Sequence, residues 1–137
     1  MSHNKLLGTL MESISHQDIH FLIALSASEE SILQEIVWEF ERWECQKEDV
    51  LVILNSLVKD GTVLLCKPIA NSDFLDLTKE ETLQAISTWD GLFRKDLMLF
   101  LTESGEKRWE VDDWGISTKR ARHLMFSNSG NITRIDG

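Results

Sequence analysis

The sequence predicts a single α+β domain, and three observations carry that expectation. Apolar residues recur at helical spacing in three successive stretches between residues 16 and 59. Two short β-rich runs follow, at 62–69 and 97–101, far enough apart to hold a further helix. The 137 residues contain no repeat, low-complexity tract or linker, and that length buries a core without disulfides or metals. The expected domain spans 1–137, with its core at about 15–115 and a flexible polar tail at 127–137.

Each element has a local reason. Ser15 or Ser13 can cap a short helix over 16–25, with Ile19, Leu22, Ile23 and Leu25 facing inward. Ser26 and Glu29 have capping-box spacing and predict the start of the next helix. Its apolar stripe is Ile32, Leu33, Ile36, Val37 and Phe40, and it runs through Trp43. Glu29, Glu30, Glu35, Glu39, Glu41 and Glu44 fall mostly on the other side. After a break at 45–46, a third helix starts near Lys47 on Val50, Leu51, Ile53, Leu54, Leu57 and Val58. Glu48 and Asp49 suit the positive end of its dipole. Gly61 supplies the left-handed residue beyond its last turn.

Val63, Leu64 and Leu65 give 62–69 strand character, and Pro68 restricts that strand to an edge or an end. Asn71, Ser72 and Asp73 are turn formers. Thr78 and Glu81 make a second capping box, opening a helix at 79–87 with Leu83 and Ile86 inward. Trp89, Asp90 and Gly91 read as a loop, and Trp89 and Trp114 as clamps that hold loops on the core. The run 97–101 is almost wholly apolar, which predicts cover on both faces. Thr102 then caps a helix at about 103–111 with Trp109 on its buried side, and a weaker helix follows at 117–126.

Charge narrows the function classes. The net charge is −9 and is uneven: residues 1–60 hold four Lys/Arg against eleven Asp/Glu, and residues 61–137 hold ten against twelve. Beyond Gly115 the chain is locally basic through Lys119, Arg120, Arg122 and Arg134. Such acidity favours solubility and works against binding nucleic acid or an anionic membrane. No stretch approaches the roughly 18 apolar residues of a membrane span. Residues 1–10 hold one Lys and no apolar run suited to a secretory signal. Cys45 and Cys66 are the only cysteines and form no CxxC, so packed thiols in a reducing cytoplasm are expected.

Two pieces of the chain resemble winged helix-turn-helix regulators, particularly the multiple-antibiotic-resistance and phenolic-acid-decarboxylase repressor groups. Residues 31–65 hold an acidic helix, a tight break and a second helix ending in LVKDGTVLL, similar to the "L…G-x-[IV]" of those families. Residues 97–110, LMLFLTESGEKRWE, resemble their "Y-x-LT-x-x-G" return strand and following helix. That second run is also similar to small bacterial proteins of unknown function. The resemblance implies a winged-helix-like fold: a three-helix core, a small antiparallel β wing, and here a helix inserted in the wing. It further implies a homodimer that reads DNA with Lys47, Asn55, Ser56 and Lys59 on the third helix and Arg94 and Lys95 on the wing. The chain departs from that pattern in two ways. Its wing is far longer, and its third helix offers no Arg for the bidentate guanine contact.

Candidate chemistry is sparse. His16 and His20 are four apart near Asp18, but residue 17 is Gln and no third ligand is evident, so no metal is expected. His123 with Cys45 or Cys66 lacks any nucleophile signature, and Gly61 and Gly105 stand outside any phosphate loop. No catalytic residue and no cofactor is expected. The acidic helix face admits three readings: a solvated surface, a dock for a basic partner, or a contact with Lys119, Arg120 and Arg122. Trp38 is placed near its apolar border and Trp43 at the helix end. The preferred expectation is a non-catalytic cytoplasmic regulatory or protein-interaction module binding another protein through Glu35, Trp38, Glu39 and Trp43. The alternative is a DNA-binding transcription regulator, disfavoured by charge.

Overall fold

Ser15 starts the first helix, α1 (His16–Ser28), through a reciprocal cap: its hydroxyl accepts from the Asp18 N–H at 3.1 Å, and the Asp18 carboxylate accepts from the Ser15 N–H at 2.9 Å. The computed structural model describes residues 14–111 and 114–128. From Phe21 to Ala27 every residue of α1 is buried. A helix apolar on all sides sits at the centre, and here the other elements wrap it. The expected Ser26–Glu29 capping box does not form, because α1 runs through both Ser26 and Ser28 and buries Ser26.

The chain then makes α2 (Leu33–Arg42) and α3 (Lys47–Lys59). All three helices end the same way. Glu30 at φ 54°, Glu44 at φ 58° and Gly61 at φ 84° take the left-handed position after the last turn. The following residue donates back: Ser31 to Ser26 O at 3.1 Å, Cys45 to Phe40 O at 3.1 Å, and Thr62 to Leu57 O at 2.9 Å. Only the third of these stops uses the expected glycine.

Three antiparallel strands, β1 (Val63–Ile69), β2 (Asp73–Asp76) and β3 (Met98–Leu101), form one sheet in the order β2-β1-β3. β1 is central, yet beyond Cys66 only β2 accompanies it, so Pro68 lies where one side of the strand is unpaired. The turn at 70–72 carries Asn71 at φ 66° and folds the chain back as β2, a strand that turn chemistry alone does not reveal. Ile32 forms an isolated bridge with Met98, placing a short extended segment between α1 and α2 against β3. In β3, Leu99 and Leu101 are buried while Met98 and Phe100 are half-buried, so cover is fuller on one face than the expectation of two.

Between β2 and β3 the chain forms α4 (Lys79–Ala85), with the expected Thr78–Glu81 capping box, and a tight turn at Asp90–Leu92. This excursion packs back onto its own domain. Thr82 is fully buried, and its hydroxyl accepts from Leu65 N–H at 3.3 Å. The N-terminus of α2, which has no side-chain cap, is satisfied by carbonyls from the same excursion. Leu33 donates to Leu97 O at 2.9 Å and Gln34 to Arg94 O at 3.1 Å.

Thr102 opens α5 (Glu103–Val111), accepting from the Gly105 N–H at 3.0 Å. Gly105 sits so close to β1 that a Cβ would lie 2.0 Å from the Thr62 carbonyl oxygen. Trp109 on α5 stacks on Phe21 with centroids 5.6 Å apart. Trp89 and Trp114 are buried, as clamps require. The last helix, α6 (Thr118–Asn128), is longer than expected and starts where Ser117 Oγ accepts from Arg120 N–H at 3.0 Å. Of the expected flexible tail at 127–137, Ser127 and Asn128 belong to α6, and the rest lies outside the described residues. The architecture is α+β, with six α-helices and a three-stranded antiparallel sheet among the described residues.

Candidate interaction surface

In α2, Leu33, Ile36, Val37 and Phe40 are buried, so the helix presents Glu35, Trp38, Glu39, Glu41 and Arg42 away from the core. Trp38 is 52% exposed, within the outward face and not at its apolar border. Glu35 is exposed, and Glu39 is half-buried and paired with Arg42 one turn on. Trp43 sits differently. It is the C-cap residue of α2, half-buried against the core, and so belongs to the scaffold more than to the open face.

The acidic field extends past α2. Burial pushes the Glu29 carboxyl above its ordinary range, and repulsion from Glu39 adds to the rise. The two carboxylates thus feel one another across the junction of α1 and α2. A cation placed there would relieve Glu29.

The residues that would meet DNA are differently disposed. Lys47 Nζ lies 5.9 Å from the Trp89 ring centroid, a cation–π contact with the excursion. Asn55 is half-buried and donates to Leu51 O at 2.7 Å and Ile86 O at 3.2 Å. Arg94 donates two hydrogen bonds of 2.7 Å to Asp96, whose carboxyl that contact holds below its ordinary range. Ser56, Lys59 and Lys95 are exposed. One flank of α3 is therefore occupied by the excursion. The remaining open face carries Glu48, Val52, Ser56 and Lys59, in which one carboxylate offsets one ammonium.

His16 and His20 do not converge on a vacant point. His16 Nε2 lies 3.3 Å from the Asp49 carboxylate, and His20 Nδ1 is 2.9 Å from His16 O. Among the described residues no group of three or more His, Cys, Asp or Glu is placed to hold a metal. Burial, with Asp49 and Asp18 adding, pushes the Cys45 thiol up to about 11. Burial, with Asp76 and Glu30, raises Cys66 as well. Both thiols are protonated at neutral pH, unlike an activated nucleophile.

The basic C-terminal group does not meet the acidic face of α2 through Arg120. Its guanidinium instead grips Asp18, at 3.2 Å and 2.8 Å, and Asp18 is 3% exposed. Sequence spacing gave no sign of this pair, since 102 positions separate its members. No helix among the described residues is long and apolar enough to cross a membrane. No family model, curated protein or solved structure matches this chain.

Proposed function

We propose that the chain is a non-catalytic cytoplasmic regulatory or protein-interaction module that binds another protein through the acidic outer face of α2. The observation that carries this reading is Trp38, half-exposed on a helix face rich in carboxylates. An indole with no core to fill is costly to leave in water and is a common anchor at interfaces. Glu35, Glu39 and the neighbouring Glu29 supply a field that selects a basic partner and speeds its approach.

The scaffold that presents this helix reads best as winged-helix-like. The order helix, bridge, helix, helix, strand, long excursion, strand supports it, with Ile32 against Met98 as the short strand before α2. On such a scaffold α3 would be the DNA-reading helix. Here Lys47, Asn55 and Arg94 are engaged within the molecule, which counts against the regulator reading.

Affinity capture from an extract of the source cell tests the proposal, using the natural chain, Trp38→Ala and the double variant Glu35→Lys with Glu39→Lys. The natural chain should retain a partner that both variants lose. Retention by both variants would sink the reading. Tight binding to mixed-sequence duplex DNA at low salt, weakening steeply with added salt, would transfer the assignment to a regulator.

A further inference from the structure

We infer that the outer edge of β2 takes up an extended basic peptide segment as an added strand, on a surface separate from the α2 face. β2 has β1 on one side only. On its other side no hydrogen bond reaches it from any described residue. Which backbone groups point outward follows from the ladder. Leu77 N–H donates to Leu65 O at 2.9 Å, and in an antiparallel ladder hydrogen-bonded pairs alternate with unbonded ones. The pairs Lys67↔Leu75 and Ile69↔Asp73 therefore exchange hydrogen bonds. Pro68↔Phe74 and Cys66↔Asp76 do not, which fits Pro68, a residue with no N–H to give. The N–H and C=O groups of Phe74 and Asp76 thus face away from β1, toward the open edge.

The side chains on this edge are apolar in the middle and acidic at both ends. Phe74 is 50% exposed and Leu75 58%, one on each face of the strand, with Ile69 nearby at 47%. A groove of about 390 Å³, lined by Leu75, Leu77 and Leu97 together with Lys67 and Arg94, adjoins the strand. Arg94 is bonded to Asp96, and Lys67 lies close enough to help lower the Asp96 carboxyl, so neither cation stands uncompensated in that groove.

Charge selects the occupant. A second copy of β2 laid antiparallel would bring the Asp73 and Asp76 carboxylates of both strands to one short seam with no cation among them. Charged edges of this kind are a known guard against self-pairing. A strand with Lys or Arg at two positions three apart, and apolar residues between them, reverses the sign. Its cations meet Asp73 and Asp76, and its apolar pair meets Phe74 and Leu75. Main-chain bonds to Phe74 and Asp76 supply affinity, and the carboxylates supply selection.

A short capped, fluorescein-labelled peptide with valine and isoleucine between two lysines is the probe. Titrated into the full chain, it should protect the Phe74 and Asp76 amides from hydrogen exchange and leave those of α2 unchanged. Asp73→Lys with Asp76→Lys should weaken binding by about tenfold and create binding for the same peptide with glutamates replacing the lysines. Phe74→Pro should also abolish binding, because it removes an outward N–H that β1 does not use. Trp38→Ala should have no effect, so this test and that of the α2 face fail independently. Equal affinity in all variants, or protection confined to α2, would overturn the inference. Self-association of the free chain that Phe74→Pro dissolves would overturn it too, assigning the edge to a second copy.

Discussion

Asp18 and Arg120 tie the start of the central helix to the last helix. Burial alone would raise the Asp18 carboxyl, but the hydrogen bonds from Arg120 and Ser15 outweigh it and hold it below its ordinary value. A carboxyl depressed by folding contributes stability above its unfolded pKa, and that contribution fades as pH falls through the folded value. Arg120→Met leaves Asp18 charged and enclosed, and should cost about 3 kcal/mol at neutral pH by denaturant titration. The deficit should shrink in acid, once Asp18 is protonated in both proteins. An unchanged deficit at low pH would show that Arg120 acts by packing alone.

Backbone conformation gives two further residue-scale tests. Glu44 takes a left-handed φ of 58° and is exposed, so Glu44→Gly should relieve strain and stabilise the fold by about 0.5–1 kcal/mol. Its melting temperature should rise. Gly105→Ala should do the reverse, because nothing but backbone movement makes room for a Cβ 2.0 Å from the Thr62 oxygen. A loss above about 2 kcal/mol is expected, and a neutral substitution would show that α5 can shift off β1.

Among the elements, the segment joining β2 to β3 has the most dependants. It satisfies the first N–H groups of α2, covers a flank of α3 and accepts the Asn55 amide at Ile86 O. Asn55→Ala should cost about 1 kcal/mol, with faster hydrogen exchange concentrated at 79–92. Uniform loosening of all elements would contradict a local role. How much of this was legible from sequence follows a physical line. Local chemistry reads well: Ser15, the Thr78–Glu81 box and Gly61 all do at helix ends what their types suggest. Partners distant in sequence do not. The Ser26–Glu29 spacing misled because burial of α1 as a whole overrode a local cap, and α2 took carbonyls from residues 94 and 97 instead. β2 was hidden because DFLD has neither length nor alternation, and only its pairing with β1 makes it a strand. At the candidate surface, the acidity of α2 was plain, while the outward placement of Trp38 and the scaffold role of Trp43 needed coordinates.

Over the whole molecule, the excess of carboxylates and the internal engagement of Lys47, Asn55 and Arg94 point the same way. Association with a basic partner should quicken at low ionic strength and slow as salt screens the field, with the change mainly in the on-rate. Stopped-flow measurements at two salt concentrations check this, and a salt-independent on-rate would mean that shape alone guides the encounter.

The two carbonyls that complete the start of α2 have a consequence for biosynthesis. Residues 33 and 34 leave the ribosome long before residues 94 and 97 that finish them. Until then the nascent helix carries orphaned amides and an uncovered apolar stripe, a state prone to capture by chaperones. The acidic helix α2 therefore matures late in synthesis, and a chain truncated before residue 94 would lack the carbonyls that complete its start.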